Sequence, residues 1–218
     1  MVKFLLSEQR LRLIINRVPF IGILFFLMLF YYSSTLYPGG SQADINSIGY
    51  DWINNYWCNL MNEKGGNGEL NRARPFSIFA MIVLCGSLTV FFYQFADFLT
   101  QSKEWRIVIK VGGVLSMIFA ALVFTDYHDL LTIISSFFGL FVVVGIVKEI
   151  HRSKLSFYRF TGIICLVLLG INNAIYYTSW FIEWLPLIQK ITLLIVLIWI
   201  LGLNYEIRKL IKRDSHQD

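Results

Sequence analysis

Charge is the scarcest commodity in this sequence. Only 15% of its 218 residues are Asp, Glu, Lys or Arg, against about 25% in an ordinary soluble domain. That shortage excludes a typical water-soluble protein. Cysteine is nearly as rare, and Cys58, Cys85 and Cys165 are scattered. An odd, dispersed set excludes a disulfide framework, and the absence of any C-x-x-C pair excludes a zinc finger. Cys85 and Cys165 fall inside apolar runs and read as packing residues. The four prolines form no pair of interrupted helices, which counts against a small-solute transporter, as does the lack of an internal repeat. There is no nucleotide-binding loop, haem-attachment motif, H-E-x-x-H or G-x-S-x-G. No cofactor is expected.

What the sequence has instead is long apolar runs. A bilayer core about 30 Å thick needs about 20 helical residues to cross it. Six runs qualify, at about Val18–Tyr37, Phe76–Leu99, Ile107–Phe124, Leu130–Val147, Tyr158–Trp180 and Leu185–Tyr205. They are continuously apolar, whereas barrel strands alternate over about ten residues. The expectation is an all-α polytopic membrane protein, with six transmembrane helices in one bundle forming a single domain over 1–218. The first run is too long for a signal-peptide core and lacks a small-x-small cleavage site.

The net charge of +5 is explained by where the bases lie, so no nucleic-acid partner is expected. Most basic residues flank alternate ends of the runs: Lys3, Arg10, Arg12 and Arg17; Lys103, Arg106 and Lys110; Lys148, Arg152, Lys154 and Arg159; Arg208, Lys209, Lys212 and Arg213. By the positive-inside rule both termini are cytoplasmic. The opposite, outward face carries Asp44, Asp51, Glu63, Glu69, Asp126, Asp129 and Glu183. The N-terminal "MVKFLLSEQRLRLII" reads either as an amphipathic helix along the inner membrane surface or as a cytoplasmic extension of the first span.

The longest connection, about 38–74, is outward and is expected to be structured. In "IGYDWINNYWCNLMN" Ile53, Tyr56, Trp57, Leu60 and Met61 recur at helical spacing, which predicts an amphipathic helix lying as a lid on the bundle. Arg72 and Arg74 stand outside against the charge rule. They pair with nearby acids, bind lipid phosphate, or simply anchor at the interface.

Polar residues collect towards the outward half. Asn172 and Asn173, with Tyr176 and Tyr177 four residues on, either hydrogen-bond between helices or wall a polar cavity. Lys190, inside the sixth run, wants a counter-charge, and Glu183, Asp126 and Asp129 are the candidates. Ser135 and Ser136 read as small-residue helix packing. In "FTDYHDLL" three ionisable groups, Asp126, His128 and Asp129, fall within four positions. They form either a hydrated turn capping the next helix or a His–carboxylate pair fit for acid–base chemistry. Zinc commonly takes several His or Cys ligands, and His128 is the one histidine expected outside, so no metal site is assigned.

Six spans, both termini inside, the loop "NSIGYDWINNYWCNLMNEKGGNGELNRARPF" and the short turn "TDYHDLL" together resemble the bacterial members of the DRAM-related six-span membrane family, of largely unknown function. The likeness covers essentially the whole chain with loose motifs. The family's outer-loop polar residues correspond at most to Asn59, Asn62 and His128, and no catalytic residue carries over. The resemblance implies lipid-related work and a multi-pass protein of the bacterial inner membrane, with membrane lipids as partners. Three functions are set against one another. The first is lipid-headgroup binding or regulation at an outward polar vestibule, with Arg72, Arg74, Asn172, Asn173, Tyr176, Glu183 and Lys190 as candidates. The second is a lipid-modifying enzyme using His128 with Asp126 or Asp129. The third is a small-solute transporter.

Overall fold

A computed structural model describes residues 2–153 and 155–214. It is all helical, and among the described residues extended pairing is confined to two isolated bridges, Gly39 with Ile48 and Lys64 with Leu70. The helices are α1 (Val2–Ile15), α2 (Val18–Thr35), α3 (Arg74–Phe98), α4 (Lys103–Ala121), α5 (His128–Arg152), α6 (Ser156–Thr178) and α7 (Leu185–Asp214). Arg17 keeps a right-handed helical backbone and accepts a bond from the Ile21 N–H at 3.0 Å, so α2 continues α1 almost directly. Of the two readings of the N-terminal segment, this geometry favours the extension.

Helices adjacent in sequence pack against each other from α2 to α7, and α7 closes the bundle against α3 and α2. Phe26, Phe30, Phe91, Phe95, Leu197 and Leu203 are essentially unexposed, which centres the core on α2, α3 and α7. Three interfaces share one device, used twice between α6 and α7: an aromatic ring seated on a glycine of the neighbouring helix. A methyl group added at Gly113 would lie 2.6 Å from Phe92, and one at Gly145 would lie 2.6 Å from Trp105. Gly162 faces Trp199, and Gly202 faces Tyr158, in the same way. Small residues let helices approach closely where lipid supplies no hydrophobic drive for association.

Five helices are long and apolar enough to cross a membrane: the segment Glu8–Thr35, α3, α5, α6 and the segment Ile182–Arg213. This is the pattern of a multi-pass membrane protein. The third predicted run is the exception. Its helix, α4, begins with Lys103, Glu104, Arg106 and Lys110 and ends at Ala121. The apolar residues Leu122, Val123 and Phe124 belong to a turn, so the run outlasts the helix at its C-terminal end and is helical only over 107–121.

The 36–73 connection is structured, but not as expected. Only Trp57–Met61 is helical, as a short 3-10 turn. The reason lies in the Asx side chains, which compete with a helix for backbone donors. Asp51 Oδ1 accepts from the N–H groups of Ile53 (2.9 Å) and Asn54 (3.1 Å), Asn55 Oδ1 from Asp51 (2.8 Å), and Asn59 Oδ1 from Tyr56 (2.5 Å). The loop's two arms cross at Gly39–Gly40 and Gly65–Gly66. Gly40 has φ +83°, and a Cβ there would collide with the backbone of Gly66 and Asn67. Buried Asn71 ties the far arm down, donating to the carbonyls of Asn59, Leu60 and Asn62.

Candidate functional site

The polar helix ends predicted to meet do meet, at a cavity of about 300 Å³ between α5, α6 and α7. From α5 come His128, Asp129, Thr132, Ile133 and Ser136; from α6 Leu169, Asn172, Asn173, Tyr176 and Tyr177; from α7 Gln189, Thr192, Leu193 and Val196. The α5 residues recur at three- and four-residue spacing, and so share one helix face. His128 opens α5, and Asp129 stands in its first turn, where the helix dipole favours a negative charge. His128 Nδ1 lies 3.1 Å from Asp129 Oδ1. Tyr127 is the N-cap and no side chain caps the helix, so the capping role expected of Asp126 or Asp129 is not realised. Asp126 is exposed and does not line the cavity.

Across the cavity, Asn172 Nδ2 donates to the Leu168 carbonyl at 2.8 Å and to Thr192 Oγ1 at 2.7 Å. This bond couples α6 to α7, so Asn172 does both things the sequence offered as alternatives. Asn173 Nδ2 turns back to the Leu169 carbonyl at 2.8 Å. Gln189, Thr192 and Thr132 were missed by sequence reasoning. Their signal was there: Gln189 and Thr192 are polar positions beside Lys190 in an apolar run, and Thr132 lies one turn after His128. Ser135 packs as expected, exchanging hydrogen bonds with Ser116 on α4 through hydroxyl and carbonyl groups at 2.9 and 3.0 Å, while Ser136 reaches the cavity.

Four predicted residues lie elsewhere. Arg74 pairs with Glu63 at 2.7 Å, and Arg72 is exposed without an ion pair among the described residues. Glu183 is exposed in a short 3-10 turn (Ile182–Trp184) ahead of α7. Lys190 forms no ion pair among the described residues, and the carboxylate within its electrostatic reach is that of Asp51. It is buried, with Nζ donating to the carbonyls of Asn55 and Pro186 and lying 5.6 Å from the Tyr50 ring centroid. Backbone carbonyls and a ring face meet the cation in place of the expected Glu183, Asp126 or Asp129. Lys190 is thus a tether between α7 and the loop.

That tether sits in a densely bonded loop interior. Asn55 Nδ2 donates to the Gly40 carbonyl at 2.8 Å, and Tyr50 Oη to the Tyr56 carbonyl at 3.0 Å. Burial pushes the Tyr50 phenol well up and the Cys58 thiol up to about 11. Asp51 is also partly desolvated, yet hydrogen bonds from the Asn54 side chain and the Ile53 and Asn54 N–H groups outweigh that and hold its carboxyl below the usual range. Cys58 is within electrostatic reach of Lys190 and Asp129, and Tyr56 of Tyr176. The loop therefore flanks the cavity without lining it, so it is not the lid that the sequence suggested.

Polar chemistry is not confined to that end. Near the chain termini, buried Asn16 donates to Gln94 Oε1 at 3.0 Å and Asn204 Oδ1 at 3.1 Å, and Asn204 Nδ2 returns to the Asn16 carbonyl at 3.0 Å. Glu149, fully buried on α5, accepts from the N–H groups of Gln101 (2.7 Å) and Ser102 (3.3 Å) and from Arg152 at 3.2 Å. These correct the expectation that polar residues collect towards the outward half. Among the described residues, no group of three His, Cys, Asp or Glu is placed to hold a metal ion. No protein-family model, curated protein or solved structure matches this chain.

Proposed function

We propose that this is an integral membrane protein that binds a lipid headgroup in the cavity between α5, α6 and α7, in a binding or regulatory role. One observation carries the reading. Ile133, Tyr176 and Tyr177 line the cavity and are also 48, 49 and 63% exposed. The cavity is therefore open at the surface of α5 and α6, two of the candidate spans, where acyl chains would lie, as well as holding polar groups. With α4 counted as a shorter sixth span, the basic flanks put both termini in the cytoplasm and the cavity at the outward face. The aromatic residues Trp180, Phe181 and Trp184 at the α6–α7 turn are exposed and suit the membrane interface. The resemblance to DRAM-related proteins carries the same implication of lipid work, in a bacterial inner membrane. Lipid mass spectrometry of the purified protein tests this. Wild type retains lipid, and Ser136→Trp, which fills the cavity from an exposed α5 position, loses it. Equal retention by both would refute the assignment.

A second reading, lipid modification with His128 as acid or base, is favoured by the His128–Asp129 contact at the cavity wall. The Asp oxygen orients the ring and leaves Nε2 for chemistry. Asp126 drops out of this version. His128→Ala abolishes turnover of a labelled membrane extract if the reading is right. Turnover equal to wild type, or none in wild type, removes it.

A further inference from the structure

The hydroxyls and the Gln189 amide of the lining can donate or accept, so any selectivity rests with Asn172, Asn173 and Asp129. Both amide hydrogens of Asn172 go to Leu168 and Thr192, while its Oδ1 is buried without a partner. The amide cannot be flipped to advantage, because its oxygen would then face the Leu168 carbonyl, acceptor against acceptor. Asn173 differs in part: its Nδ2 gives one hydrogen to Leu169 and keeps the other, and its Oδ1 has no partner among the described residues. Asp129 adds a carboxylate with one oxygen on His128. The unused capacity of these three side chains is therefore mostly acceptor capacity, with a single N–H of Asn173 as the exception. Among the described residues no Lys or Arg lines the cavity, and Lys190 is turned to the loop. A phosphate brings only acceptors and negative charge. It would leave the exposed Asn173 oxygen unmet and be repelled by Asp129.

Resting on the reading of this cavity as a lipid site, we infer that the headgroup it takes ends in a primary ammonium. Such a group supplies three N–H donors and the charge opposite to Asp129. A quaternary ammonium supplies the charge without donors, and a glycerol headgroup supplies donors on a net anionic lipid.

The test equilibrates the purified protein with equal amounts of phosphatidylethanolamine, phosphatidylcholine and phosphatidylglycerol of identical acyl chains, followed by native mass spectrometry. Phosphatidylethanolamine is retained about tenfold over phosphatidylcholine, the factor expected for a charge-assisted hydrogen bond. Asp129→Asn and Asn173→Leu, both at exposed positions, bring that ratio towards one. Equal retention of the two lipids, a preference for phosphatidylglycerol, or an unchanged ratio in both variants overturns the ammonium assignment alone. Retention of none of the three overturns the lipid reading and the assignment with it.

Discussion

Lys190 contributes through what surrounds it. A buried ammonium without a direct ion pair is tolerated when carbonyl oxygens and a ring face replace water and a carboxylate, here Asp51, lies within electrostatic reach. Replacing it with Met keeps most of the volume but leaves the Pro186 and Asn55 carbonyls short of a donor. Lys190→Met is expected to cost about 1–3 kcal/mol, read as a lowered thermal midpoint in detergent. Asp51 gives a pH signature. Its folded-state pKa lies below the unfolded value of 3.8, so its contribution is present above about pH 4 and is lost as pH falls through the folded value. The 36–73 loop is expected to loosen in that acid window, seen as a change in fluorescence of Trp52 and Trp57, with the Asp51→Asn protein loose at all pH. Such roles are poorly legible in sequence. Lys190 advertises its charge, but carbonyl partners carry no residue signature, and Asn55 is 135 positions away. His128, Asn172 and Asn173 were legible because polar groups in apolar runs are costly without a purpose.

At the scale of elements, the helices were readable because a continuous apolar run has few folded outcomes in lipid. The loop was not, because period-3.6 spacing at Ile53–Met61 is outweighed locally by Asp51, Asn55 and Asn59 bonding their own backbone. Its docking is testable through Cys58, whose thiol is pushed up to about 11 by burial. Maleimide labelling at pH 7.5 is expected to be slow in wild type and much faster in Asn71→Ala, which frees the three carbonyls that hold the far arm. Equal rates would mean the arm is held by other contacts. The ring-on-glycine contacts predict a separate sensitivity. Gly145→Leu has no room beside Trp105 and should destabilise the α4–α5 pair by about 1–3 kcal/mol or more, whereas Gly170→Leu, with open space around it, should be near neutral. Thermal melts of both variants decide this.

For the whole molecule, orientation follows from where the bases lie. Reporter fusions after α7 are expected to signal a cytoplasmic location, and fusions within the 36–73 loop an external one; the reverse pattern would invert the assignment of the cavity's side. The asymmetry of polar groups read from the sequence was half right. The cavity lies at the loop end, but Asn16, Gln94 and Asn204 escaped notice because each resembles an ordinary boundary residue. Only their meeting, across 78 and 188 positions, makes a network.

The brevity of α4 carries a consequence for the bilayer itself. From Ile107 to Ala121 the helix rises about 22 Å at 1.5 Å per residue, against a hydrocarbon thickness of about 30 Å. On the proposed reading of α4 as a sixth, shorter span, a lipid annulus beside it would thin, and a mismatch of this kind costs a fraction of a kcal/mol per ångström. Because α4 leads directly into the turn before His128, the headgroup layer would dip on the flank where the cavity begins. Acyl-chain length then becomes a control on the protein, and its stability and lipid retention should rise in short-chain bilayers.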